Sequence, residues 1–263
     1  MGSATTQALA ATTAALDAVS GVDLDVAREL FAAARAVGDT PQLSGALADS
    51  AAEPAARTKV VEDVFGSRLS PATVAVLKTA VEQRWSSASD LVDGIEELAI
   101  RAAAKSDPGA DVEGELFRFS RTVAENAELE LALGSRLGDP EAKGALVERL
   151  LGGRASGAAT LIAASVIQRP RERRVRHVLA RAMKIVADEH DRTVATVYAA
   201  APLGAAQADR LAAALSKRYG KKVSVNTVVD PSVVGGLRVE IADDVIDASV
   251  SSRLADLRQR LAG

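Results

Sequence analysis

The stretch DPSVVGGLRVEI near the C-terminus combines an acidic residue with a glycine pair and admits two interpretations. Gly235 and Gly236 could let the backbone approach an anionic ligand, as in a phosphate-binding loop. They could equally form a turn between two strands, since glycine adopts positive φ without steric cost. Asp230-Pro231 is a turn-starting dipeptide, and the alternation that begins at Leu237 predicts a strand rather than the helix that a phosphate loop would open. The sequence therefore favours a structural turn.

Few other residues could carry chemistry. The chain has no cysteine and only two histidines, His177 in a strongly basic segment and His190 between two acidic residues at a predicted helix end. The pair Asp243-Asp244 fits a tight turn better than a catalytic carboxylate pair, because nothing around it predicts a pocket that would raise one pKa. The nucleophile-elbow, zinc-protease, Walker and dinucleotide motifs do not occur. We therefore predict no catalytic, cofactor-binding or metal-binding residue.

The strongest local charge is the basic run from Arg169 to Arg176. A solvated helix face is the favoured interpretation, with a partner-docking face and nucleic-acid binding as alternatives. Nucleic-acid binding is the weakest of these, because the run lacks aromatic residues for base stacking and the whole chain carries a formal charge of −3. The single tryptophan, Trp85, is more typical of a core than of a contact surface.

Composition predicts a helical protein. Of 263 residues, 48% are hydrophobic but only 3% are aromatic, so the core must consist mainly of Ala, Leu and Val, a mixture that suits close-packed helices. Two long uncharged stretches occur. Met1 to Leu16 lacks the basic start of a signal peptide, and Ala155 to Gln168 is too short for a membrane span. We expect a soluble chain without an export signal or direct membrane insertion.

An internal repeat covers most of the N-terminal part. The triplet ELF at residues 29–31 recurs at residues 115–117, an offset of 86 (115 − 29 = 86). At the same offset Pro54 matches Pro140 and Gly66 matches Gly152, positions suited to the start and end of a helix. The ordered matches at one period indicate a duplication. Each copy has the apolar periodicity of a helical bundle.

Two shifts in composition divide the chain. The segment SDPGADVEGE, residues 106–115, predicts a break after a long helix, and periodicity changes from helix to strand at residues 191–194. We therefore predict three domains: a first helical bundle at 1–105, a second at 106–191 and an α+β domain at 192–263. The fold class is mainly α with a C-terminal α+β domain of order β-α-β-β-α.

The last domain should end in a helix. Asp247 or Ser249 can cap this helix, and Leu254, Leu257 and Leu261 continue a heptad-like apolar stripe along it. It follows three predicted strands, which begin near Val194, Val223 and Leu237, and a helix that ends at Gly220.

Two segments of this domain resemble a known family. The stretch VDPSVVGGLRVEIADDVIDASVSSRLADLRQRL, Val229 to Leu261, is similar to the C-terminal signature of the delta subunit of bacterial F-type ATP synthase, the oligomycin-sensitivity-conferring protein family. VATVYAAAPLGAAQADRLAAAL, Val194 to Leu215, also resembles that family, which has a strand ending in A-x-P-L before a helix. The resemblance implies that Asp230, Pro231, Gly235, Gly236 and Asp247 are structural motif residues.

The resemblance also implies a role without catalysis or cofactor. Such a subunit links the catalytic alpha/beta head to the b subunit of the peripheral stalk, so that the head resists rotation during proton-driven ATP synthesis. Grooves of the bundle would bind the N-terminal helices of the alpha subunits, and the C-terminal domain, supported by the helix of Leu254, Leu257 and Leu261, would engage the b subunit. The chain would then be present in one copy, peripherally, on the cytoplasmic side of the cell membrane.

This chain departs from the family pattern in having two bundle copies, as long actinobacterial-type forms do. The segment Ile95 to Phe119 resembles the opening helices of the family, so the last helix of the first copy could also be the first helix of the second. Two other functions stay open at this point: a free-standing helical adaptor or regulator that uses the basic run, and an enzyme with an unrecognised site in the α+β domain.

Overall fold

The computed structural model describes residues 2–135, 137–170, 174–241 and 244–250. The chain divides into two units, a helical unit at Met1–Ile185 and an α+β unit at Val186–Gly263. The mainly α fold with a C-terminal α+β domain, predicted from the sequence, is confirmed. The finer division of the helices into bundles at 1–105 and 106–191 stays a prediction.

The helical unit consists of helices joined by short loops, which carry the repeat. The helices are α1 (Ser3–Ala18), α2 (Leu24–Asp39), α3 (Pro41–Ala48), α4 (Pro54–Phe65), α5 (Pro71–Glu82), α6 (Ala88–Ser106), α7 (Val112–Glu125), α8 (Ala127–Gly134), α9 (Pro140–Leu151), α10 (Gly157–Gln168) and α11 (Val175–Glu189), of which α11 continues past the boundary at Ile185.

Local signals place most of these helix starts. Pro41, Pro54, Pro71 and Pro140 each occupy the first helical position, where the missing N–H costs no hydrogen bond. Side chains at other starts accept a bond from a first-turn backbone N–H, as Ser87 Oγ does from Asp90 N at 3.1 Å. Because these signals lie within a few residues of each helix, a repeated sequence repeats the helix bounds.

The bounds do repeat at the offset found in the sequence. The helices α3, α4 and α5 begin at residues 41, 54 and 71, and α8, α9 and α10 begin 86 residues later at 127, 140 and 157. At the same offset α1 corresponds to α6 and α6 corresponds to α11, with starts that agree within one residue and ends that agree within three. The sixth helix therefore ends copy 1 (residues 3–106) and opens copy 2 (residues 88–189).

The burial of α6 agrees with this double role. Residues on all its sides are buried, including Leu91, Val92, Ile95, Leu98, Ile100 and Ala104. It packs against α1, α2, α3 and α5 of copy 1 and against α10 of copy 2. Protein therefore surrounds most of this helix. The polar residues on it are paired, for instance Arg101 with Glu97 at 2.9 Å and Arg181 of α11 with Glu96 at 3.1 Å.

The α+β unit contains four strands and one helix among its described residues. They are β1 (Arg192–Ala199), α12 (Ala205–Tyr219), β2 (Lys222–Val229), β3 (Leu237–Ile241) and β4 (Asp244–Asp247), with sheet order β2-β1-β3-β4. The pair β1–β2 is parallel, with Ala195 opposite Val225, and the pairs β1–β3 and β3–β4 are antiparallel.

One face of this sheet forms the core of the unit. Ala195, Val197, Val223, Val239 and Ile241 pack with Leu215 of α12. The helix ends at Gly220, whose φ of 70° is the left-handed conformation expected of a C-terminal glycine. The alternating burial that the sequence predicts is found in β1 and β3. In β2 it is not kept along the strand, because Val223, Asn226 and Val228 are buried whereas Val229 is exposed.

The sequence prediction missed β4. It assigned three strands and treated the segment after Ile241 as a turn leading to the last helix, whereas Asp244 to Asp247 form a fourth strand paired with β3. The segment is only four residues long, so neither alternation nor length marks it as a strand. The predicted last helix, with Leu254, Leu257 and Leu261, lies outside the described residues.

Candidate interaction surfaces

Gly235 and Gly236 lie in the connection between β2 and β3. Their φ angles are 65° and 79°, in the left-handed region that favours glycine. The connection begins with Asp230, whose N–H donates to the Ala199 carbonyl oxygen at 2.8 Å, and Pro231 follows it. A strand follows the glycines, so their N–H groups do not open a helix.

The glycine pair also packs against the chain that leaves β4. A Cβ atom at position 236 would lie 2.4 Å from the Ala248 carbonyl oxygen, well inside van der Waals contact. The Gly235 carbonyl oxygen accepts from Val250 N at 3.1 Å. The pair therefore lets two backbone segments approach each other, which requires the absence of side chains.

Two aspartates stabilise the ends of these segments. Asp230 Oδ1 accepts from Ser232 N and Asp247 Oδ1 accepts from Ser249 N, both at 2.9 Å. Hydrogen bonds from Ser232 hold the pKa of Asp230 below its ordinary value, and those from Ser249 do the same for Asp247. Both carboxylates thus act as local turn acceptors.

A cavity of about 650 Å³ brings together the two sequence segments that carry the family resemblance. Leu203 and Leu211 line it from the start of α12, and Gly235, Gly236 and Leu237 line it from the turn into β3. The lining is largely apolar, which suits an apolar side chain of a partner better than a polar substrate. In the sequence, the proline-leucine pair Pro202-Leu203 after β1 marks this surface, although the pair by itself does not indicate a cavity.

The described residues contain no group of three or more histidine, aspartate or glutamate side chains that could hold a metal ion. His177 is exposed on α11, and His190 directly follows the end of that helix. No helix in the described part of the chain has the length and hydropathy to cross a membrane.

The two copies share an internal tie from the second helix of each copy to the start of its fifth. In copy 1, Glu29 Oε2 accepts from Ser70 N at 2.9 Å, Ser70 Oγ at 2.7 Å and Thr73 Oγ1 at 2.6 Å. In copy 2, Glu115 Oε2 accepts from Ser156 N at 2.9 Å and Ser156 Oγ at 2.6 Å. Ala159 stands where copy 1 has Thr73, so the third donor is absent. The repeated tie supports the duplication independently of the helix bounds.

The copies differ in the surface that their first helix offers. In α1 the buried residues are Thr5, Ala8, Thr12 and Leu16, a single narrow stripe. The opposite side of α1, including Ala10 and Ala14, is exposed. The equivalent helix α6 is buried on all sides. Among the described residues, the first helix of copy 1 therefore has a long exposed side that a partner could contact, whereas the first helix of copy 2 has none.

Two arginines at the ends of the basic run, Arg169 and Arg176, form ion pairs with carboxylates. Arg169 forms an ion pair with Asp39, and Arg176 Nε lies 3.2 Å from Glu130 Oε1. Residues 171–173 lie outside the described part. Trp85 is only 4% exposed and donates from Nε1 to the Ala80 carbonyl oxygen at 2.7 Å, so it is a core residue.

Comparison with known sequences places these features in a family. Residues 98–261 match the sequence profile of the family described as ATP synthase delta (OSCP) subunit. The match begins inside α6, so it covers copy 2 from residue 98 onward and nearly all of the α+β unit.

Full-length relatives carry the same name. ATP synthase subunit delta of Leifsonia xyli is 49% identical, and the match covers 100% of both chains. The subunits delta of Nocardia farcinica and Streptomyces avermitilis are 42% and 38% identical, over 95% and 98% of this chain and 94% and 98% of their own lengths.

Proposed function

The chain belongs to the ATP synthase delta (OSCP) subunit family, and from this membership we propose that it is a non-catalytic stator subunit. It links the alpha/beta head to the b subunit of the peripheral stalk, so that the head does not turn with the rotor. The observation that carries this proposal is the 49% identity to an ATP synthase subunit delta over the whole of both chains.

Both contacts would use apolar surfaces. A helix that docks into a groove buries apolar area. Two linked contacts then hold the stator more firmly than either contact does, because the second binds at a high effective concentration. This division of work needs no reaction centre, only two docking surfaces that resist sideways load.

The head contact belongs on copy 1 in this proposal. The alpha-subunit N-terminal helices would dock beside α1, whose exposed side is available, whereas the equivalent side of α6 is buried. The family profile matches residues 98–261, so α1 and its exposed side lie outside the matched segment.

Paired arginine substitutions test this assignment. Ala10→Arg with Ala14→Arg adds charge to the exposed side of α1, and Ala142→Arg with Ala145→Arg adds the same charge to exposed positions of α9 in copy 2. Binding to purified head should weaken in the α1 variant and persist in the α9 variant. The opposite pattern would assign head binding to copy 2 and overturn the proposal for copy 1.

The b subunit would bind the α+β unit at the cavity formed by Leu203, Leu211 and the glycine turn. Leu254, Leu257 and Leu261 of the last predicted helix would support this unit. Leu257→Asp should weaken binding of the b subunit while head binding stays intact. Loss of both contacts would mean that the substitution unfolds the chain. In that case Leu211→Asp, at a residue that lines the cavity, tests binding of the b subunit instead.

Co-purification tests the proposal as a whole. The tagged chain, isolated from membranes, should bring down both the head and the b subunit. In this complex the chain would be present in one copy, held peripherally on the cytoplasmic side of the membrane. Recovery without either partner would instead support a free-standing helical adaptor.

A further inference from the structure

A cavity of about 410 Å³ lies between the two copies of the helical unit. Its polar lining comes from Ser44 of copy 1, Ser89 of the shared α6, and Ser135, Lys143, Gln168 and Arg169 of copy 2. Volumes of this size accommodate small-molecule ligands. The cavity is separate from the surfaces assigned above to the head and the b subunit.

Lys143 is the unusual member of this lining. Its residue is only 7% exposed, and Nζ donates to the Ser135 carbonyl oxygen. Within the described part of the chain it makes no ion pair. The one hydrogen-bond partner of the ammonium group is a neutral carbonyl oxygen, so an anion in the cavity could form a charge-assisted hydrogen bond with it.

The equivalent position of copy 1 shows what a purely structural cation does here. Arg57, 86 residues earlier, is 5% exposed and donates from Nη1 to the Gln83 carbonyl oxygen at 3.1 Å and from Nη2 to that of Glu82 at 3.4 Å. It thereby neutralises the C-terminal end of α5. Lys143 makes no such bond to the end of α10 and lines the cavity instead, so the two copies use one position for different purposes.

Other groups at the cavity also favour negative charge. Arg169 contributes a second cation, partly offset by its ion pair with Asp39. Ala88 and Ser89 are the first residues of α6, and the N-terminus of this 19-residue helix carries partial positive charge, which the carboxylate of Asp90 in the first turn partly offsets. Lys143, by contrast, has no carboxylate partner among the described residues, and three serine hydroxyls share the lining with it.

We propose that this cavity binds a phosphate-bearing anion, with Lys143 as the principal contact. A phosphate group offers enough acceptor oxygens for the lysine and the serine hydroxyls, and the volume leaves room for the remainder of a phosphate ester. Such a ligand contacts both copies and stabilises their arrangement against each other. This inference does not depend on the stator function.

Thermal unfolding of the full-length chain tests the site, because a ligand that binds only the folded state raises the melting temperature. The chain is titrated with inorganic phosphate, ADP and ATP, against sodium chloride at equal ionic strength. A rise with all three phosphate compounds indicates a site for the phosphate group, and a rise only with ADP and ATP identifies a nucleotide. No rise with any of them overturns the proposal.

Substitution of the lysine locates the site. Lys143→Met should weaken phosphate or nucleotide binding about tenfold or more, the effect of one charge-assisted hydrogen bond. Lys59→Met is the control, because Lys59 is an exposed lysine on α4, the copy-1 equivalent of α9. Lys143→Arg keeps the charge and should retain binding, so it serves if the methionine variant unfolds. Unchanged binding by folded Lys143→Met would overturn the assignment.

Discussion

Copies 1 and 2 of the helical unit have the same helix bounds but different surroundings. Three successive helices begin at the same repeat positions, and the Glu29 tie to the fifth helix recurs at Glu115. Yet α1 has one side exposed, whereas its equivalent α6 is enclosed. Duplication thus preserved what short-range contacts define, while packing against the other copy changed the environment of equivalent residues.

Three pairs of equivalent positions differ between the copies, the first two in their surroundings and the third in its side chain alone. Leu9 of α1 is half-buried, but Ile95 of α6 is 1% exposed. Arg57 caps a helix, but Lys143 lines a cavity. Gly45 of α3 corresponds to Leu131 of α8, which is 74% exposed. Substitutions at these positions, compared with matched substitutions in the other copy or at a neighbouring residue, measure how much each difference contributes.

The largest effect is expected in the shared helix. Ile95→Ala should lower the free energy of unfolding by about 2–5 kcal/mol, because it leaves a cavity around a side chain that is only 1% exposed, in a helix that packs against both copies. Leu9→Ala, the equivalent change in α1, should cost only about 1 kcal/mol, since water already reaches that side chain. Urea unfolding followed by circular dichroism measures both.

The shape of that unfolding curve carries further information. If α6 belongs to both copies, Ile95→Ala should shift one cooperative transition of the helical unit. Two separated transitions, with only one displaced by the substitution, would show that α6 stabilises a single copy and would contradict its shared role.

The Glu29 and Glu115 ties should differ by less. Glu29→Gln removes the charge from three hydrogen bonds and should cost about 2 kcal/mol, whereas Glu115→Gln weakens two and should cost about 1 kcal/mol. Thr73→Val removes the extra donor of copy 1 and should bring the two ties closer together. Equal losses for Glu29→Gln and Glu115→Gln would mean that Thr73 adds nothing.

The tie in copy 1 also predicts a pH dependence. Burial raises the pKa of Glu29, but hydrogen bonds from Thr73 and Ser70 outweigh burial and hold it below the ordinary 4.5. The folded state therefore binds fewer protons than the unfolded state, and the tie stabilises fully above pH 4.5. This contribution is lost as the pH falls through the lower folded pKa. The stability gap between the native chain and Glu29→Gln should narrow over that range in urea unfolding, and a constant gap would contradict the assignment.

The smallest effect is expected on the surface of α8. Leu131→Gln should change the free energy of unfolding by less than about 0.5 kcal/mol, because the side chain is already in water. Leu133→Gln, two residues along the same helix, should destabilise the chain strongly, since Leu133 is fully buried. A loss above about 1 kcal/mol for Leu131→Gln would show that another part of the chain covers this leucine.

Most of the elements could be predicted from short-range patterns. Pro54 and Pro140 open helices and Gly220 ends one, because the conformations of proline and glycine depend on few neighbours. The strand β4 could not be predicted in this way. Its four residues are defined by their pairing with β3, and such pairing depends on the sheet rather than on the segment.

The candidate surfaces were less predictable than the elements. The glycine turn could be inferred from the residues that follow it, but its close approach to Ala248 could not. Lys143 and Arg57 occupy one repeat position and are both buried cations, so the sequence treats them as equivalents. Only the tertiary structure shows that Arg57 bonds carbonyl oxygens at the C-terminal end of α5, whereas Lys143 lines a cavity.

By itself, the sequence determined the helical duplication, the α+β domain and the family, because each is recorded in local periodicity and ordered motifs. The tertiary structure decided which of two equivalent residues is buried, because burial also depends on whether helices of the other copy pack against it. Leu9 and Ile95 hold one position in two copies, and only the packing around them distinguishes an accessible side from a core.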